Sequence, residues 1–152
     1  MRGGYYLLDT CILLHWLRGG NVCTTIDGQF GLTSSGFRPL VCEVTLGEIE
    51  SFAMGSKWGD TRRQKLREIR KKLVVIDLTD ERIYKEYAEY STLSKAKGWP
   101  IFKDKNDLWI AASAKVSGAT VLTMDVKGFK PLRDCKHLDA IVLDPKTGWA
   151  IP

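Results

Sequence analysis

Four carboxylates stand where a chain of alternating strands and helices would gather them. Asp9 follows the apolar run Tyr5-Tyr6-Leu7-Leu8, and Glu48 closes Thr45-Leu46-Gly47-Glu48. Asp107 lies in Asn106-Asp107-Leu108-Trp109-Ile110-Ala111-Ala112, and Asp125 ends Thr120-Val121-Leu122-Thr123-Met124-Asp125. In an open parallel sheet the functional crevice lies beyond the carboxyl ends of the strands, so acids placed there converge. Crowded carboxylates without matching bases repel, and some stay protonated unless a cation joins them. A hard divalent ion such as Mg²⁺ or Mn²⁺ removes that repulsion and turns the cluster into a catalytic device.

Each acid also has a plainer role open to it. Asp9 precedes Thr10 and an apolar helical pattern, so it can cap that helix through exposed backbone N–H groups. Thr45 and Glu48 have the spacing of a capping box, in which the glutamate reaches back to the cap residue. Asp107 falls in the first turn of its helix, where the helix dipole favours a negative charge by roughly 0.3–1 kcal/mol. Asp125 follows a strand and precedes Gly128, as a turn former does. The separate roles leave the common placement unexplained: two strand exits and two helix first turns, all opening on one edge of the sheet.

Other chemistries have less support. The only histidines are His15, in an apolar helix pattern, and His137, in a basic loop, so no motif sets up histidine acid–base work. Neither a GxGxxG nor a GxxxxGK[ST] phosphate loop occurs. Cys11, Cys23, Cys42 and Cys135 lack the paired short spacing of a zinc site and read as reduced thiols. Trp16, Trp58, Trp99, Trp109 and Trp149 include candidates for base stacking, although most tryptophans in a chain this size serve the core.

The acids need a scaffold, and hydrophobic periodicity supplies one. Apolar runs at 5–8, 40–44, 74–78, 120–123 and 140–143 read as strands, and helical patterns cover 10–18, 45–57, 60–72, 80–97 and 105–117. Gly98 with Pro100 stops the fourth helix and Gly118 the fifth. The alternation predicts an α/β domain with a mainly parallel sheet. Segment 19–39 is harder to assign: Val22, Ile26 and Phe30 suggest a short helix, with a mobile loop expected near the end. The tail 144–149 carries turn signals and is expected to pack only through Trp149.

The 152 residues suit a single domain, 1–152, with one core. A composition of 44% hydrophobic and 27% charged residues describes a soluble globular protein. No apolar run approaches the ~20 residues of a membrane span. The start Met1-Arg2-Gly3-Gly4 reaches Asp9 too soon for a signal-peptide core of ~7–15 residues, so a cytoplasmic location with no membrane contact is expected. The net charge of +5 is modest support for a polyanionic partner. Its distribution says more, because residues 62–72 pack seven basic side chains around Leu66 and Ile69, with Leu73 just beyond. Such a helix can lie along a phosphate backbone or simply present a solvated face.

Taken together, Leu7-Leu8-Asp9-Thr10, Val44-Thr45-Leu46-Gly47-Glu48-Ile49, the block 105–112, and Leu122-Thr123-Met124-Asp125 with Phe129 behind it resemble the PIN-domain nucleases. Among these they are similar to the VapC-type toxins of bacterial and archaeal toxin–antitoxin pairs. The resemblance runs over about residues 5–145, and 106–112 is its most specific part. Ile26-Asp27-Gly28-Gln29-Phe30-Gly31-Leu32 and Arg38-Pro39-Leu40 also look like one VapC-type subgroup.

The resemblance implies a three-layer α/β PIN-like fold: a mainly parallel, twisted sheet of about five strands flanked by helices. It implies a metal-dependent endoribonuclease that hydrolyses phosphodiester bonds of tRNA or rRNA. Asp9, Glu48, Asp107 and Asp125 become the catalytic acids that bind Mg²⁺ or Mn²⁺. Asn106 and Thr123 would support them by hydrogen bonding, and Thr10 would hold the first acid or a water. One cation, held chiefly by Asp9 and Asp107, would activate water; a second, or a shifted position involving Glu48 and Asp125, would stabilise the leaving oxygen. Arg62, Arg63 and Lys65 of the basic helix, with Lys103 and Lys105 beside the acids, are expected to hold the RNA backbone. The family further implies a homodimer and a cognate antitoxin whose tail enters the acidic groove.

Two positions depart from the pattern. Cys11 stands where such proteins often have asparagine, a change expected to loosen the first helix turn without removing a ligand. Asp104 adds a carboxylate that the family does not require, either an accessory acid or nothing. Two other functions stay open: the same chemistry on DNA or a housekeeping RNA with no toxin role, and a non-catalytic module that binds RNA or scaffolds an assembly while its acids merely cap helices.

Overall fold

Side chains alternate across a strand, so the two leucines that end the first strand must enter different layers. Leu7 packs with Leu40, Cys42 and Val121 in one apolar cluster, while Leu8 packs with Val41 and Leu122 in another. A sheet buried on both faces needs helices on both, which is the three-layer arrangement expected. The computed structural model describes residues 5–33, 36 and 38–152. The expectations for residues 1–4, and for part of the loop before residue 40, lie outside the described residues.

Six strands form one sheet in the order β3-β2-β1-β4-β5-β6: β1 (Tyr6–Leu8), β2 (Leu40–Cys42), β3 (Val74–Ile76), β4 (Thr120–Thr123), β5 (Ala140–Leu143) and β6 (Ala150–Ile151). All neighbours run parallel except β5 and β6. One face is covered by α1 (Thr10–Arg18), α2 (Asn21–Phe30), α3 (Glu43–Gly55) and α4 (Asp60–Arg70), whose Ile12, Leu13, Ile26, Ile49, Leu66 and Ile69 join the Leu8 cluster. The other face is covered by α5 (Glu81–Lys97), α6 (Lys105–Ser117) and α7 (Val126–Asp134), which send Ile83, Leu108, Phe129 and Leu132 into the Leu7 cluster. A 3₁₀ turn, Pro100–Lys103, leads into α6.

Three elements differ from expectation. The second helix was expected to start at residue 45 but starts at Glu43, so β2 stops at Cys42 and Val44 packs from the helix. Residues 126–134, to which the periodicity assigns no element, form α7, whose apolar positions are buried at Phe129 and Leu132. The tail forms a sixth strand rather than packing through Trp149, which is 60% exposed. Main-chain pairing holds it instead: Asp144 N–H donates to Trp149 O at 2.8 Å, and Gln29 Nε2 of α2 donates to Gly148 O at 2.7 Å. Gly148 adopts φ +82°, and a Cβ there would sit 2.8 Å from Val22 O.

Candidate active site

The chain begins in β1, moves outward through β2 and β3, and returns to the other side of β1 as β4. The switch point of the sheet therefore lies between β1 and β4, where parallel α/β sheets form their crevice. Asp9 leaves β1 at that point, and Asp125 lies two residues past β4.

Asp9 is 6% exposed and uses both carboxylate oxygens. Oδ1 accepts from Thr10 N–H at 2.8 Å, so the capping role is real. Oδ2 accepts from Thr123 Oγ1 at 2.7 Å and from Cys11 Sγ at 3.6 Å, bonds that a helix cap alone does not require. Cys11 also accepts from Met124 N–H at 3.4 Å, and Thr123 Oγ1 accepts from Asp125 N–H at 2.9 Å. Thiol and hydroxyl thus tie the β1 exit to the β4 exit. Cys11 adds a clasp across the two strand exits. Burial pushes the Asp9 carboxyl up, bonds from Thr123, Thr10 and Cys11 oppose the rise, and the Glu48 charge adds to it. Burial and the Asp9 charge push the Cys11 thiol up to about 12.

Glu48 is not part of a capping box. With α3 starting at Glu43, Thr45 is a buried third residue rather than the cap, and Glu48 falls in the second turn. Its Oε1 accepts from Thr10 Oγ1 at 2.7 Å. Thr10 therefore holds the first acid through its backbone and the second through its hydroxyl.

Asp107 lies in the first turn of α6, 8% exposed, and its N–H donates to the N-cap Asp104 Oδ1 at 3.2 Å. Asp104 is thus the cap of that helix. Burial, then the charges of Asp9, Asp104 and Asp125, and a hydrogen bond with Asp125 push the Asp107 carboxyl up to about 9. Asp125 caps α7, its Oδ1 accepting from Lys127 and Gly128 N–H at 3.1 and 3.0 Å. A Cβ at the buried Gly128 would lie 2.5 Å from Asp125 Oδ2 and 3.3 Å from Asp107 Oδ2. The missing side chain makes room for the two acids to meet. Sequence spacing offered Gly128 only as a turn residue; the short distance from Asp125 was the available hint.

Asp107 thus interacts with both Asp9 and Asp125, and Glu48 joins Asp9 through Thr10. Among the described residues none of the four forms a salt bridge with lysine or arginine. Among the described residues no three His, Cys, Asp or Glu side chains are grouped so that they could hold a metal ion as they stand. The carboxyl oxygens bond to hydroxyl, thiol, backbone and one another instead.

Comparison with known proteins meets this geometry. A PIN domain is matched over residues 6–133. The chain belongs to the PIN-domain family. This PIN domain is 28% identical over 136 residues to Ribonuclease VapC1 of Haemophilus influenzae (strain R2866), covering 88% of this chain and 96% of that protein. In structure it is similar to VapBC-1 from nontypeable Haemophilus influenzae, with a TM-score of 0.70, 26% identity, and 91% and 97% of the two chains covered. It also shares its fold with VapBC2 from Rickettsia felis, a complex bound to a DNA fragment from its promoter (TM-score 0.77, 24% identity, 92% and 99% covered).

The remaining expected residues divide. Asn106 lines a groove of about 740 Å³ with Glu48, and its side chain makes no hydrogen bond among the described residues. Lys103 is exposed, whereas Lys105 Nζ turns back to Phe102 O at 2.8 Å and lies 3.9 Å from the centre of that ring. Arg63 pairs with Glu50 at 3.1 Å, and Lys65 lies beside Gly19. Arg62 opens on a second concavity that also includes Arg18, a residue the charge run did not single out.

Proposed function

We propose that this PIN domain is a VapC-type endoribonuclease, dependent on a divalent metal and restrained by a cognate antitoxin. The observation that carries the reading is the convergence of Asp9, Glu48, Asp107 and Asp125 without a counter-cation from the chain. Oxygen donors in that number suit Mg²⁺ or Mn²⁺, and carboxyls pushed up by one another are relieved by such an ion. Asp9 and Asp107 would hold it chiefly, with Glu48 and Asp125 bordering the same space. When bound, the ion supplies a water of lowered pKa and positive charge for the phosphate oxygens.

The side chains of the domain do the positioning. Thr123 and Cys11 fix the Asp9 carboxylate, Thr10 fixes Glu48, and the first turn of α7 fixes Asp125. Asn106, beside Glu48, presents an amide to substrate in the groove. Neither histidine lies among these groups, so attack by the RNA 2′-hydroxyl lacks its usual base and acid. Water attacking in line would expel the 3′ oxygen, leaving 5′-phosphate and 3′-hydroxyl ends. The substrate is proposed to be tRNA or rRNA, and the active form a homodimer in the cytoplasm. No helix among the described residues is long and apolar enough to cross a membrane.

Incubation of purified protein with cellular RNA, followed by end mapping, tests the reading. Cleavage should stop in EDTA, return with Mg²⁺ or Mn²⁺, and leave 5′-phosphates; 2′,3′-cyclic phosphate ends or full activity in chelator would overturn it.

A further inference from the structure

The acidic site does not end at Glu48. From Glu48 and Asn106 the 740 Å³ groove runs over the small residues Gly47, Ser51 and Gly55 of α3 to Phe52 and Ser56. Phe52 and Ser56 also line a neighbouring concavity of about 390 Å³, floored by Leu14 and Leu17 and bordered by Trp58, Arg18 and Arg62. The two concavities therefore adjoin along the end of α3. Phe52 is 42% exposed, propped edge-on against Trp58 with ring centres 6.0 Å apart. The Arg62 guanidinium lies 5.8 Å from the Trp58 ring centre. Among the described residues neither Arg18 nor Arg62 forms a salt bridge, whereas the adjacent Arg63 does.

An exposed aromatic ring on a firm backing, flanked by unpaired guanidinium groups, is what single-stranded nucleic acid requires: a face for a base and cations for the phosphates beside it. Two unpaired cations argue for a polyanion, and the small residues leave an open path from the ring to the acids. We propose that the Phe52–Trp58–Arg18–Arg62 concavity is a subsite for single-stranded RNA, stacking a base on Phe52 and holding a flanking phosphate with Arg18 and Arg62. The subsite rests on the ribonuclease reading and adds to it where the strand lies beyond the cleaved bond. It would select unpaired segments, because a base held in a duplex cannot present its face to the ring.

The test measures binding apart from cleavage. Fluorescence anisotropy follows a labelled single-stranded RNA of about ten nucleotides on the full chain carrying Asp9→Asn, and a gel confirms that the RNA stays intact. Degradation of the RNA would count against the role of Asp9 and leave the subsite to be judged from binding in EDTA. Phe52→Ala should weaken binding about tenfold, Phe52→Leu by a similar factor, and Phe52→Trp little. Arg18→Gln and Arg62→Gln should each lower the slope of log affinity against log salt by about 0.7. Melting temperatures verify folding, and Phe52→Leu keeps the apolar packing should Phe52→Ala lose it. Unchanged affinity in Phe52→Ala, or unchanged salt slopes, would overturn the proposal. Full RNA affinity in Phe52→Leu would also overturn it, since apolar area without a ring suits an apolar peptide, not a base.

Discussion

At the amino edge of the sheet, Glu86 and Glu89 of α5 share a concavity of about 270 Å³ with Lys115, Lys136 and His137. At the carboxyl edge, Asp107 interacts with Asp9 and Asp125 while Glu48 joins Asp9 through Thr10, and among the described residues no salt bridge to lysine or arginine forms there. Burial and the Glu89 charge push the Glu86 carboxyl up, and Lys115 and His137 pull it back. At Asp107 burial is reinforced by the charges of Asp9, Asp104 and Asp125, and its carboxyl rises to about 9. At the amino edge, nearby basic groups offset part of the rise. The carboxyl edge holds its acids in place with threonine, cysteine and backbone donors, and no lysine or arginine among the described residues forms a salt bridge with them. Positioning without neutralisation is the feature on which the proposed cation site rests.

The sharpest way to break this contrast is to remove one acid from each end. Asp9→Asn should lower RNA cleavage by at least about 100-fold with the fold retained, because it removes a ligand charge but keeps shape and capping ability. Glu86→Gln should cleave at the parental rate. Equal losses in the two variants would erase the distinction between the edges. Next in size is Gly128→Ala, which pushes a methyl group into the space of the Asp125 and Asp107 oxygens. It should reduce cleavage about 10- to 100-fold, as displaced supporting groups do. In an Asp125→Ala background the same change should add little, and full additivity in that cycle would show that the methyl acts elsewhere.

A third prediction concerns stability. The folded-state pKa of Asp107 is raised from 3.8 to about 9, so between these values the folded protein binds the proton more tightly than the unfolded chain. Its contribution to stability is therefore greatest at low pH and declines as pH rises from about 4 to about 9. Asp107→Asn should flatten that decline and raise the melting temperature at pH 8 in metal-free buffer, as read by calorimetry. A steeper decline in the variant would contradict the burial argument. The smallest effect is expected from Lys115→Ala at the amino edge, within ~0.5 kcal/mol of parental stability and without change in cleavage.

Much of this was legible in the sequence, for identifiable reasons. Strand exits announce themselves by apolar runs, so Asp9 and Asp125 could be placed on one edge, and Gly98 and Gly118 marked true helix ends. Glu48 was legible as a candidate but on a wrong register: Thr45 and Glu48 imitate a capping box, whereas the helix starts two residues earlier and Val44 packs from it. The clasp made by Cys11 was not legible, because its partners Asp9 and Met124 come together only through the pairing of β1 with β4. The steric role of Gly128 was hidden for the same reason. The β6 strand escaped because two residues carry no periodicity, and part of what holds them beside β5 is Gln29, more than a hundred positions away in the chain.

Direct titration with Mn²⁺, followed by electron paramagnetic resonance of the free ion at neutral pH, tests the central claim most directly. The parental protein should take up Mn²⁺ at a saturable site that is lost or strongly weakened in Asp9→Asn and Asp107→Asn and unchanged in Glu86→Gln. Parental Mn²⁺ uptake in both aspartate variants, or its loss in Glu86→Gln, would contradict the assignment of the carboxyl-edge acids as the cation site.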